Sequence, residues 1–145
     1  MQANLERWLT SRSWREDEST SAARRVIAML KTTIASADGQ WVLAQHEDDA
    51  AELALSTTMI GDDEQFGGTT STRVVDRSFV DNGARWVIDY KTADLGTRAD
   101  AASLRQHAEY YRRQLEQYAA LFQVDGVPVR KAILYLAHGK LVELD

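Results

Sequence analysis

The sequence predicts a mixed α/β layer, a small central sheet flanked by helices, and three observations carry that expectation. Two β-rich runs, 72–80 and 85–92, are joined by Asp81-Asn82-Gly83-Ala84, and Asn-Gly is the strongest short hairpin signal. A helical stripe follows at Leu104, Ala108, Tyr111, Leu115, Tyr118 and Phe122, spaced alternately by four and three. A last apolar run, 129–137, lies beyond that helix, which is long enough to serve as a right-handed crossover between parallel strands.

In chain order, 4–10 reads as a short helix with Leu5, Trp8 and Leu9 on one side, and Asp17 to Ser21 as a polar break. From Ala22 to about Ala37 the positions Ala23, Val26, Ile27, Leu30 and Ile34 keep helical spacing, with the Ser/Thr cluster as N-cap and Asp38-Gly39 as the stop. Trp41, Val42 and Leu43 read as a short buried segment. Glu52 to Ile60 alternates as a first strand, with Leu53, Leu55, Thr57 and Met59 on one side. The polar, glycine-containing stretch 61–71 reads as an exposed loop. After the hairpin, one helix is expected over 101–123, then the strand 129–137, a turn at His138-Gly139 and a short partner strand, 141–144. The chain reads as one domain, 1–145, with a helical N-terminal part, 1–51, and a core, 52–145.

Composition narrows the chemistry. The chain has 145 residues, 44% of them hydrophobic, enough for a single core. It lacks cysteine, which excludes disulfides, cysteine-ligated zinc and cysteine-held iron–sulfur clusters, so a metal would need carboxylates, histidines or backbone oxygens. Seventeen Lys and Arg against twenty-two Asp and Glu give a formal charge of −5, which argues against broad electrostatic binding to nucleic acid. A pocket built around divalent ions escapes that argument, because the ions themselves attract phosphate. No Walker loop of the form GxxxxGK[ST] is present. With no apolar run long enough to span a bilayer and no signal-peptide stretch at Met1–Glu16, a cytoplasmic protein without a membrane is expected.

The hairpin concentrates the candidate chemistry. If Asn82-Gly83 is a two-residue type I′ turn, Asp81 faces Ala84 and, counting outward, Asp76 faces Asp89. Val87, Asp89 and Lys91 then share one side of their strand, while Trp86, Ile88 and Tyr90, joined by Val75 and Phe79, form an apolar side. Facing β-carbons stand roughly 4.5–5.5 Å apart, where like charges repel. Lys91 offsets part of that repulsion, and a divalent cation would offset more; oxygen ligands suit Mg²⁺, Mn²⁺ or Ca²⁺. On spacing alone, a solvated strand face with a surface Lys–Asp pair explains these residues better than a metal site does. His46, Glu47, Asp48 and Asp49 read as a loop or helix cap rather than a metal cluster.

The residues also resemble a family. Val74-Val-Asp76-Arg-Ser-Phe-Val-Asp-Asn-Gly-Ala-Arg-Trp-Val-Ile-Asp89-Tyr-Lys91-Thr92 resembles the nuclease signature of RecB/AddA-type enzymes, in which an Asp ends a short apolar run and a later strand closes with Asp-Tyr-Lys-Thr or Asp-Tyr-Lys-Ser. Gln114 and Tyr118 resemble its next motif, Gln-x-x-x-Tyr, and 132–144 resembles the closing strand pair of AddA-like chains. The match covers roughly residues 52–145. It implies a PD-(D/E)xK nuclease with a restriction-endonuclease-like αβββαβ core, acting as the Mg²⁺-dependent (Mn²⁺ possible) DNA exonuclease domain of a helicase-nuclease in double-strand break repair and recombination.

Under that resemblance Asp76 and Asp89 bind the metal, and Lys91 orients water or stabilises negative charge. Gln114 and Tyr118, one helical turn apart, line the site or touch the DNA backbone, although Tyr118 equally continues the core stripe. Arg98, Arg105, Arg112, Arg113, Arg130 and Lys131 are candidates for phosphate contacts, with a solvated surface role as the default. The implied partners are DNA, a helicase portion of the same polypeptide and an AddB/RecC-like subunit. The family also carries an upstream metal-ligating His or acid in a Gly-Thr-x-x-His-like motif, which this sequence lacks, so a C-terminal fragment of a larger enzyme is expected. Glu52 reads as a structural glutamate rather than the substitute ligand. The alternatives are a non-catalytic DNA-binding or assembly domain that keeps the fold, and a free-standing PD-(D/E)xK repair or restriction nuclease.

Overall fold

A computed structural model describes residues 1–12, 14–59 and 69–145. Asn82 and Gly83 both take positive φ, 49° and 73°, as a type I′ turn demands, and they join β2 (Thr69–Asp81) to β3 (Ala84–Lys91). The register runs as the turn dictates, from Asp81↔Ala84 to Arg77↔Ile88. β1 (Glu47–Met59) pairs antiparallel with the outer edge of β2. β4 (Val129–Tyr135) lies parallel to β3, and β5 (Lys140–Leu144) returns antiparallel to β4. The result is a five-stranded mixed sheet in the order β1-β2-β3-β4-β5. This is the α/β architecture that the sequence predicts.

Helices cover both faces. α4 (Ala101–Glu109) and α5 (Arg112–Ala120) connect β3 to β4 and bury Leu104, Ala108, Leu115 and Tyr118 against Val75, Val87, Ile133, Tyr135 and Leu144. On the opposite face α3 (Ala37–Leu43) inserts Val42 among Phe79, Trp86, Ile88, Ala132 and Leu134. α1 (Gln2–Thr10) packs on α2 (Glu16–Ala35), whose C-terminal end reaches the β4–β5 turn.

Several boundaries depart from the sequence expectation. α2 starts at Glu16, and the stretch read as a polar break is its first turn: Glu16, Asp17 and Glu18 place negative charge at the helix N-terminus, and the Arg15 N–H donates to the Glu18 carboxylate at 3.3 Å. Asp38-Gly39 does not stop that helix. The backbone turns extended at Ser36, whose Oγ accepts from Gly39 N at 3.0 Å and caps α3, so Trp41 to Leu43 is helical. A β-carbon at Gly39 would fall 2.0 Å from the Thr33 carbonyl oxygen, which is why glycine stands there. β1 begins at Glu47 rather than Glu52, through an irregularity between Glu47 and Ala50. Of the expected loop, Thr69–Ser71 belong to β2, while Ile60 and 61–68 lie outside the described residues.

The single helix expected over 101–123 is two. Its i→i−4 ladder gives way to Tyr110 N→His107 O and Tyr111 N→Ala108 O, Tyr111 takes φ −102° and ψ 0°, and α5 starts afresh. Neither glycine nor proline marks the break. Leu104, Ala108, Leu115, Tyr118 and Phe122 nonetheless share one buried side, as their spacing predicts.

Candidate active site

The structure corrects the expected two-sidedness of the hairpin. Val75 packs with Val87 under α4 and α5, while Phe79 packs with Trp86 and Ile88 under α3, so these two residues of β2 occupy opposite layers. Alternation is broken at Asp76. β2 leaves the β3 register after Arg77↔Ile88, and on the other side Glu52, at φ 51°, interrupts the pairing between Ala51↔Arg77 and Leu53↔Val75. Asp76 is therefore not a backbone partner of Asp89; its Oδ2 accepts the Tyr90 N–H at 2.7 Å in place of the next ladder bond.

The two carboxyls still meet. Asp89 is 5% exposed, beneath α5 rather than on a solvated face, and burial pushes its pKa up; Lys91 pulls it down, and Asp76 pushes it up again through charge and through a hydrogen bond. Lys91 Nζ forms an ion pair with Asp89 Oδ2 at 2.6 Å. Gln114 Nε2 donates to Tyr118 Oη at 2.8 Å and makes a long, 3.5 Å contact with Asp89 Oδ1. Asp76, Asp89, Lys91, Gln114 and Tyr118 thus converge on one site. Tyr118 is 8% exposed, and it both continues the core stripe and presents its hydroxyl to Gln114.

Three aromatic residues that the sequence reading did not assign complete the surroundings. Parallel pairing sets Tyr135 beside Lys91 and Ile133 beside Asp89, which the strand alternation of 129–135 could have signalled. Tyr135 is fully buried, with Oη 2.8 Å from His107 Nδ1 and 3.4 Å from the Leu104 carbonyl, to which it donates. Burial pushes its pKa up to about 12, with smaller contributions from Tyr111 and Asp89. The Tyr111 ring lies beneath Lys91 Nζ, 4.1 Å from it.

Other candidates stand apart. His46 Nε2 donates to the Trp41 carbonyl at 2.6 Å and its ring stacks on Phe79, Asp49 pairs with Arg77 at 3.1 Å, and Asp48 pairs with Arg85. His46 lies in the connection between α3 and β1, as a loop reading expects, whereas Glu47 to Asp49 open β1. Glu52 is exposed. Arg105 pairs with Asp145 at 3.2 Å, Arg112 clasps Glu109 at 2.7 and 2.9 Å, and Arg130 clasps Glu143 at 2.6 and 2.7 Å while lying over Trp86. Arg98 and Arg113 are exposed, and Lys131 is half-buried. Exposed ion pairs of this kind are weak, so phosphate could displace them at small cost.

Among the described residues, no group of three or more His, Asp or Glu converges on a metal position. Two neighbouring carboxyls, one of them buried, offer hard oxygen donors that fit a divalent cation, and Mg²⁺ commonly completes its shell with water and phosphate. Compared with protein-family models and with curated proteins, the chain matches none. Among the described residues no helix is long and apolar enough to cross a membrane.

Proposed function

We propose that this chain is a metal-dependent DNA nuclease domain of the PD-(D/E)xK type, an exonuclease module of a RecB/AddA-like helicase-nuclease. The observation that supports this reading is the convergence of Asp76, Asp89 and Lys91 at the point where β2 parts from β3, with Asp89 buried and paired with Lys91. In this reading Asp76 and Asp89 hold Mg²⁺, or Mn²⁺, which when bound supplies an acidified water and polarises the phosphoryl oxygen. Lys91 places a fixed ammonium where negative charge grows on the phosphate; being protonated it cannot itself ligate. Gln114, tied to Tyr118, offers a second donor on the same side. Arg98, Arg105, Arg112 and Arg113 would steady the DNA backbone.

The test is cleavage of linear duplex and single-stranded DNA with Mg²⁺, with Mn²⁺ and with chelator, using the chain and its Asp89→Ala variant. Metal-dependent cleavage that falls by at least about a hundredfold in Asp89→Ala is the expected result. Chelator-resistant cleavage, or cleavage unchanged in Asp89→Ala, would overturn the proposal. One observation favours a second reading, a DNA-binding or assembly domain without catalysis: among the described residues no third carboxyl or histidine joins Asp76 and Asp89, and Lys91 already pairs with one of them. DNA binding that is indifferent to chelator, with no cleavage and no Mn²⁺ uptake, would select it.

A further inference from the structure

Lys91 is held from two sides. Asp89 Oδ2 lies 2.6 Å from its Nζ, and the Tyr111 ring faces it from 4.1 Å, well inside the range at which an aromatic face attracts a cation. The Lys91 side chain is only 20% exposed, so water screens neither contact fully. Tyr111 owes its position to the helix break: it is the residue at φ −102° and ψ 0° between α4 and α5, and Leu115 N bonds back to its carbonyl at 3.1 Å. Its ring is in turn packed by His107, with centroids 5.5 Å apart, and His107 is fixed by Tyr135, the strand neighbour of Lys91.

We infer that Tyr111 is a positioning residue for Lys91: its ring keeps the ammonium beside Asp89. The inference rests on the nuclease reading for the purpose of the ammonium, but not for its placement. An apolar side chain of similar size would fill the same space without attracting the cation. A phenylalanine keeps the attraction, because the ring face supplies it and the hydroxyl does not.

The experiment measures reductive methylation of Lys91 by peptide mass spectrometry on metal-free protein, alongside DNA cleavage kinetics. Tyr111→Leu should raise the Lys91 methylation rate several-fold and lower kcat roughly 3- to 30-fold with KM little changed, while Tyr111→Phe stays near wild type in both. Progressively fluorinated phenylalanines at position 111 keep the shape of the ring and weaken its face, so they serve even if the leucine variant does not fold. Methylation should rise in step with fluorination. A Lys91 methylation rate indifferent to fluorination, or a phenylalanine variant as impaired as leucine, would overturn the inference. If methylation responds as described but wild-type protein shows no metal-dependent cleavage, Tyr111 positions Lys91 and it is the nuclease reading that fails.

Discussion

The two faces of the sheet are both closed by helices, and they are built differently. Beneath α3, the cluster of Val42, Phe79, Trp86, Ile88, Ala132 and Leu134 is wholly hydrophobic. Beneath α4 and α5 an equally buried layer of Val75, Val87, Leu115 and Ile133 adjoins Asp89, with Lys91, Gln114 and Tyr118 grouped about it. His46 and Arg77 pack on Phe79 at the margin of that first cluster. The second keeps a carboxyl away from water, which costs stability and raises its pKa, so the arrangement makes sense as a provision for chemistry rather than for folding.

That contrast orders the expected effects of mutation. On the α3 face, Ile88→Ala removes a fully buried side chain and should cost about 2–5 kcal/mol in urea denaturation; a loss below about 1 kcal/mol would mean that α3 is not a true structural layer. On the other face, Asp89→Asn should stabilise the fold at neutral pH and raise its melting temperature. The sign follows from the raised pKa: the unfolded carboxyl ionises near 3.8, the folded one at higher pH, so stability from this group is present below 3.8 and is lost as pH rises through the folded value. Denaturation followed against pH should show that decline in wild type and lose it in Asp89→Asn. A flat wild-type profile would mean that Asp89 is not held away from water. The smallest effect belongs to Tyr118→Phe, which keeps the buried ring and removes only the hydroxyl bonded to Gln114. It should change stability by about 0.5–1.5 kcal/mol, and a larger loss would make that hydroxyl a structural element rather than a part of the site.

Much of this contrast was legible in the sequence wherever a local rule governs. Asn82-Gly83 sets a turn type, the turn sets the register, and the register places Val87, Asp89 and Lys91 on one side of β3. The stripe from Leu104 to Phe122 identified the side of the crossover that is buried. What local rules could not reach came from tertiary contact. Tyr110 and Tyr111 contain no helix breaker, so nothing local signals the division of α4 from α5. The break in alternation at Asp76 arises opposite Glu52, a non-glycine residue at positive φ, which periodicity does not foresee. The same alternation places Asp89 on a side but is silent about what covers that side, and α5 covers it.

The junction between the N-terminal helices and the β4–β5 turn has a consequence for how the chain is made. Thr33 Oγ1 donates to the Leu136 carbonyl at 3.0 Å, Leu141 N donates to Asp38 Oδ2 at 2.9 Å, and each bond spans 103 positions. Gly139, at φ 56°, lets the turn press against Ser36 and Thr32, where a β-carbon would lie only 2.7 to 2.9 Å from their atoms. α2 and α3 precede β4 and β5 in the chain, so the residues that seat them, Leu136 to Leu141, are made long after the helices they receive. Closing so long a loop is slow and entropically costly. Docking of these helices onto the β4–β5 turn is therefore a late step in folding.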